Sequence, residues 1–315
     1  MGQYWMIINL DKRECHDMGK LGEYFFRGYP SARLNSSLHC LEPTFLPDTV
    51  KRYRPGELLS PAEMYPTTLV NLPVETIHEI HAHIDGFHDL LFLSATCQVL
   101  WEIGRGEMHR RVIELAGTYS WAGDRIICVG DYLRNDDIPA SLLSAEEEDF
   151  LSTREENEEE LNLFNYPQTE IHSPYRKDAA LARLLDRCIP YLNDLDALVI
   201  SQLRDFKSLK QPAPRVLRNL TRQQYVRESA ILELQNEYDD IGFGEVVLCR
   251  ICLSSDPMTS MSQRYAGDIH RGVWAGDRFD VVSAEWLVTG AASGWTDVSN
   301  EVLKEVEEIW IAEYG

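Results

Sequence analysis

The pentapeptide Trp-Ala-Gly-Asp-Arg occurs twice in this chain, at Trp121–Arg125 and again at Trp274–Arg278. A five-residue identity that contains tryptophan is hard to obtain by chance, so the chain reads as an internal duplication. Two further landmarks precede each pentapeptide in the same order. Asn9-Leu10-Asp11-Lys12-Arg13 is echoed by Asn219-Leu220-Thr221-Arg222-Gln223, and Leu21-Gly22-Glu23 by Phe243-Gly244-Glu245. From the Gly of Gly-Glu to the Trp of the pentapeptide there are 99 residues in copy one and 30 in copy two. Copy one therefore carries an insertion.

Local patterns give an α+β fold. Tyr4 to Leu10 is aromatic and β-branched and ends in a turn, which predicts a first strand; Lys20 to Phe26 predicts a second. The Gly-Asp of each pentapeptide predicts a turn that feeds a buried strand. Glu245 to Leu253 is rich in β-branched residues and is read as a strand, so Cys249 and Cys252 should point to opposite faces. Two apolar stripes predict helices, one through Leu181, Leu184, Leu185 and Cys188, the other through Leu192, Leu195, Val199, Leu203 and Phe206. Residues Pro30 to Pro66 lack clear periodicity and read as a long connection. Between Glu146 and Glu160 nine acidic residues face one arginine, a composition that predicts a solvated linker.

The expected organisation is a duplicated mixed sheet unit with an inserted three-helix segment and a helical middle region. Residues 1–67 form the first part of copy one and its connection, 68–113 the insertion and 114–145 the remainder of copy one. An acidic linker follows over 146–175, a helical pair over 176–210 and copy two over 215–315.

Within the insertion, Val74, Ile77, Ile80 and Ile84 recur at helical spacing after Pro73, which suits a first helical turn. Asp85-Gly86 breaks that helix. Asp89 is placed to cap a second helix carrying Leu90, Leu91 and Leu93, and a third, short helix would carry Cys97, Leu100 and Trp101. The histidines of His78-Glu79-Ile80-His81-Ala82-His83 are read as a solvated face, and their spacing does not match a zincin helix. The order Leu72-Pro73-Val74-Glu75, Ile77-x-x-Ile80, Asp89-Leu90-Leu91-x-Leu93, Cys97 and Trp101 resembles the F-box over roughly residues 68 to 113. The resemblance implies docking to the Skp adaptor of a cullin-RING ubiquitin ligase, with the remaining chain presenting an unknown protein substrate. The docking positions it implies are Leu72, Pro73, Ile77, Ile80, Leu90, Leu91, Leu93, Cys97 and Trp101, and Leu72, Leu90 and Leu91 should then be partly accessible; their burial in the host core would count heavily against docking. Leucine-rich, kelch and WD-type repeats, the usual substrate domains of that family, are absent. Copy two separately resembles a group of uncharacterised microbial and fungal proteins through Asn219-Leu220-Thr221, Tyr225-Val226-Arg227, a strand from Gly244 to Ser254, Trp274–Arg278 and Trp295–Ser299 before a last helix. That likeness implies a fold and no activity.

Thirty basic residues against 51 acidic ones give a net charge of -21, which disfavours nucleic acid and anionic membranes as partners. No stretch has the length and apolarity of a bilayer span, and the N-terminus lacks the pattern of a secretory signal. Seven scattered cysteines suit a reducing compartment, so a cytoplasmic or nuclear location is expected. No cofactor or metal site is expected: Cys249-x-x-Cys252 has no second cysteine pair at ligand spacing, and no phosphate loop or nucleophile elbow is visible. The candidate ligand or catalytic set is Asp268, His270, Arg271, Asp277 and Arg278, with Asp124 and Arg125 in copy one. The same residues also fit a buried aromatic anchor beside a surface ion pair. Three functions stay open: an F-box-type adaptor without catalysis, an enzyme or small-ligand binder using the Asp268 to Arg278 region, and an interaction scaffold.

Overall fold

The computed structural model describes residues 2–27, 34–35, 37–39, 69–94, 96, 98–152, 161–167, 169–170, 214–235, 241–262 and 264–315. The helical pair expected over 176–210, most of the Pro30 to Pro66 connection, Cys97 and acidic residues 153–160 lie outside them. The chain forms two compact units, one from residues 1–40, 120–174 and 210–315 and the other from 41–119 and 175–209. Strands β1 (Trp5–Asn9) and β2 (Glu14–Gly19) and helix α1 (Leu21–Phe25) open the first unit. Helices α2 (Val74–Ala82), α3 (Phe87–Ser94) and α4 (Gln98–Tyr119) belong to the second. The first resumes with β3 (Ile126–Gly130), α5 (Ala145–Ser152), β4 (Thr169–Glu170), β5 (Arg215–Asn219) and β6 (Gln224–Arg227). It ends with α6 (Glu228–Gln235), α7 (Phe243–Ile251), β7 (Cys252–Leu253), β8 (Phe279–Ser283), α8 (Glu285–Val288), β9 (Thr296–Asp297) and α9 (Ser299–Tyr314).

The two sheets of the first unit share one topology. Sheet one runs β4-β2-β1-β3-β7 and sheet two runs β9-β6-β5-β8. In each, the first hairpin is antiparallel, the post-pentapeptide strand is antiparallel to the hairpin's first strand, and the short outer strand is parallel. The fifth position is exchanged between copies. Strand β7 of copy two pairs in parallel with β3 of copy one, while His39 of copy one bridges in parallel to Val281 of β8. The fold is thus an α+β duplication whose halves complete each other's sheets.

One face of both sheets builds a common core. Trp5, Ile7, Ile126 and Cys128 from sheet one join Leu217, Val226, Phe279 and Val281 from sheet two, with Val246 and Leu248 of α7 and Val302 and Trp310 of α9. Each large apolar side chain buried this way contributes about 1.5–3 kcal/mol. The opposite faces differ. In sheet one, Ile8 and Ile127 are cross-strand partners covered by Leu133, Leu142, Leu151, Leu163 and Tyr166. The equivalent pair in sheet two is Arg218 and Asp280, joined by two hydrogen bonds of 2.6–2.8 Å. The Arg218 guanidinium lies 5.0 Å from the Trp286 ring and 5.7 Å from that of Trp295.

Several sequence expectations are corrected. Lys20 to Phe26 is not a strand: Leu21, Tyr24 and Phe25 are buried at helical spacing in α1, and the second strand is Glu14–Gly19. Glu245 to Leu253 is not a strand up to Ile251. All nine residues of α7 are buried, so no polar face marks the helical period, and the Glu245 side chain accepts from the Gly242 N–H at the helix start. The opposite-face argument for Cys249 and Cys252 therefore fails; their thiols donate to the Val246 and Leu248 carbonyls. The acidic run begins as helix α5, in which Glu147 is buried, so its first half is not a solvated linker.

In the second unit, Pro73 is the N-cap of α2, and its carbonyl accepts from Ile77. Arg111 of α4 donates to the carbonyls of Ile84 and Asp85, satisfying the chain between α2 and α3. Asp89 sits inside the first turn of α3 rather than at its cap, because the helix already starts at Phe87. The third helix is long, 22 residues, not short. His81 is fully buried with Nδ1 2.7 Å from the Ile77 carbonyl, so only His78 and His83 of the three histidines face solvent.

Candidate functional site

Each pentapeptide forms a tight turn in which the Asp N–H donates to the Trp carbonyl at 3.0 Å. The third residue must adopt positive φ, +84° at Gly123 and +78° at Gly276, which is why glycine stands there. The tryptophans anchor the turns in the core. Trp121 Nε1 donates to Glu14 at 2.8 Å and Trp274 Nε1 to Gln224 at 3.1 Å, two residues that occupy equivalent positions in the copies.

The aspartates hold the first hairpin of their own copy. Asp124 accepts from Asn9 Nδ2 at 2.8 Å and pairs with Lys12 at 3.3 Å. Asp277 accepts from Asn219 Nδ2 at 2.8 Å and from Arg222 Nε at 2.6 Å. Each asparagine in turn accepts backbone N–H groups of its hairpin loop, Lys12 in one copy and Thr221 and Arg222 in the other. The arginines tie the copies together. Arg125 and Arg278 bridge in antiparallel fashion, Gly123 N–H donates to the Phe279 carbonyl, and Gly276 N–H donates to the Ile126 carbonyl. Asp11 lies between both arginines: Arg125 donates to it at 2.8 Å through Nε and Arg278 at 2.7 Å through Nη1. Arg125 also grips Glu147 at 2.7–3.1 Å. Burial alone would raise the Asp11 and Glu147 carboxyls, but hydrogen bonds and charge from Arg125, with Arg278 at Asp11, hold both below the usual carboxylate range.

Beside this junction lies an open cleft of about 970 Å³, lined among others by Arg125, Leu142, Arg222, Arg271, Asp277 and Arg278. It brings together four residues of the sequence-derived candidate set: Arg125, Arg271, Asp277 and Arg278. Asp124, Asp268 and His270 are not part of its lining. Burial pushes the His270 imidazole down, against the opposing charges of Asp268 and Asp256. Arg222, Ser141, Ser144 and Thr221 also line the cleft and were not singled out from the sequence, although the landmark Asn219–Gln223 contains two of them. The one carboxylate in the lining, Asp277, is buried and committed to Asn219 and Arg222. The cleft is thus equipped for recognition by guanidinium donors rather than for proton transfer. Among the described residues no group of three or more His, Cys, Asp or Glu is arranged to hold a metal ion.

The proposed docking residues divide by exposure. Leu90 and Leu91 are 0 % exposed, whereas Leu72 is 38 % and Phe92 52 % exposed. Ile77 and Trp101 are buried, Ile80 and Leu93 are half-buried, Pro73 is exposed, and Cys97 lies outside the described residues. The expectation that Leu90 and Leu91 are accessible is therefore corrected: both are fully buried, as the apolar ridge of an amphipathic helix is wherever it faces protein rather than solvent. Among the described residues no helix is long and apolar enough to cross a membrane. Comparison of the chain with family models, with curated proteins and with solved structures finds no match in any of the three.

Proposed function

We propose that this protein is an F-box-type adaptor, in which the segment from Leu69 to Tyr119 docks on the Skp subunit of a cullin-RING ubiquitin ligase and the duplicated sheet unit presents a protein substrate. What supports this reading is the likeness of Leu72 to Trp101 to the F-box together with the exposure of Leu72 and Pro73, while the burial of Leu90 and Leu91 counts against it. Helices α2, α3 and α4 bury Ile77, Leu90, Leu91 and Trp101, yet leave Leu72, Pro73 and the aromatic ring of Phe92 in solvent, with Ile80 and Leu93 half-exposed. Exposed apolar groups of this kind are what a partner groove would take up. The residues available for docking on this reading are Leu72, Pro73, Ile80, Phe92 and Leu93. On this reading the chain itself performs no chemistry and works in the cytoplasm or nucleus.

The test is a pull-down of the Skp adaptor by the full chain. Leu72→Asp with Phe92→Asp is the informative variant, because both side chains already face solvent and the helices should keep their circular dichroism. Adaptor recovery is expected from the wild type and to fall about tenfold or more in the variant, the equivalent of roughly 1.4 kcal/mol. Leu90→Asp with Leu91→Asp is expected to unfold the helices and so cannot serve. Equal recovery from wild type and the exposed-face variant, or none from either, removes the adaptor reading.

A further inference from the structure

The cleft beside the Trp274–Arg278 turn is lined by arginines although the chain is acidic. On a protein of net charge -21, its lining carries four arginines and one carboxylate, and every one of the arginines is paired: Arg125 with Asp11 and Glu147, Arg222 with Asp277, Arg271 with Asp137 and Arg278 with Asp11. Arg125 is fully committed, to Asp11, to Glu147 and to the Leu142 carbonyl. The other three are engaged through one nitrogen each. Arg222 gives Nε to Asp277, Arg271 meets Asp137 through Nη2 at 3.3 Å, and Arg278 gives Nη1 to Asp11 and to the Gly123 carbonyl. Their side chains are 47 %, 41 % and 42 % exposed, and each guanidinium keeps N–H donors beyond the one nitrogen engaged. An arginine already held by one carboxylate has lost part of its rotamer freedom and meets a ligand at lower entropic cost. The lining also has apolar surface: Pro139, Leu142 and the exposed side chain of Val273.

We propose that this cleft binds a small phosphate monoester with an apolar body, the phosphate held by Arg222, Arg271 and Arg278 and the body lying against Leu142 and Val273. The volume of about 970 Å³ accommodates such a molecule. Three separate donor groups match a tetrahedral dianion with three terminal oxygens better than a carboxylate with two. A long polyanion such as nucleic acid is disfavoured because the surrounding acidic surface repels it, whereas a small anion meets the remaining N–H donors of the paired arginines. The inference does not rest on the adaptor reading, and Leu72→Asp with Phe92→Asp leaves it intact.

The experiment is isothermal titration of the full chain with phenyl phosphate at low ionic strength, with inorganic phosphate and benzoate as comparison probes. Saturable phenyl phosphate binding is expected, about tenfold or more tighter than either comparison probe. Arg271→Gln, whose carboxylate partner is at the surface, should weaken it about tenfold with an unchanged melting temperature. Val273→Asp, which replaces apolar wall by a like charge, should abolish it. The proposal is overturned by the absence of saturable phenyl phosphate binding, by equal or tighter binding of benzoate or inorganic phosphate, or by affinity that stays within about twofold in both variants.

Discussion

An asparagine and an aspartate, repeated once in each half, hold the residue-scale design of this protein. Asn9 and Asn219 are both buried, and each links its hairpin loop to the pentapeptide aspartate. The pairs are chemically equal but not equally buried: the Asp277 side chain is 8 % exposed and that of Asp124 21 %. Removing a partner from the more buried carboxylate costs more of its desolvation. Asn219→Ala should therefore destabilise the protein by about 2–3 kcal/mol and Asn9→Ala by roughly half of that, read from urea denaturation midpoints. Equal costs would show that burial does not set the penalty. The tryptophan, glycine and aspartate of each turn were legible in the sequence, since repetition marked them and their chemistry suits a turn. The pairing of Asp124 with Asn9 was not, because 115 residues separate them and a single side-chain contact leaves no periodic trace.

At the scale of elements, helix α5 is fastened to the sheet through Glu147 and Arg125, and that clamp sets an acid sensitivity. Asp11 and Glu147 have folded-state pKa values below their ordinary ones, so the unfolded chain binds protons first as the pH drops. The stability they contribute is present above about pH 4, the ordinary carboxylate range, and is lost as the pH falls through the lower folded values. Arg125→Gln should remove roughly 2 kcal/mol at neutral pH and flatten the decline of stability below about pH 4, measured as denaturation midpoints between about pH 2 and 6. A decline as steep as in the wild type would sink this account. Element identity was readable where one face is wet and obscure where none is. Helix α7 reads as a strand in the sequence because all nine of its residues are buried and no polar face marks the helical period. The strand after each pentapeptide, by contrast, announced its surroundings: Ile126-Ile127-Cys128-Val129 is apolar throughout and is covered on both faces, while Phe279-Asp280-Val281 alternates and presents Asp280 to Arg218.

At the scale of the whole molecule, the duplicated unit is continuous in space although its chain is interrupted twice. Residues on either side of the first interruption are hydrogen-bonded, Trp121 N–H to the Ser37 carbonyl at 2.7 Å and Ser120 Oγ to the His39 carbonyl at 3.0 Å. A chain in which residues 41–119 and 175–209 are each replaced by a short Gly/Ser linker should thus keep the two sheets, because loop closure depends only weakly on the removed length. Cooperative urea unfolding followed by tryptophan fluorescence is the expected result; a gradual, non-cooperative change would show that the second unit is needed for the first to fold. The sequence by itself determined that there are two copies, that each turns at a glycine beside an anchored tryptophan, and that an insertion divides copy one. These follow from local rules of turn geometry and from apolar periodicity, which act between near neighbours. Only the tertiary structure decided that β7 and His39 cross between the copies, that Arg278 reaches Asp11 across 267 residues, and that three partly engaged arginines line one cleft. Such contacts depend on how distant segments are brought together, and single side-chain pairs at long separation impose no pattern on the sequence around them.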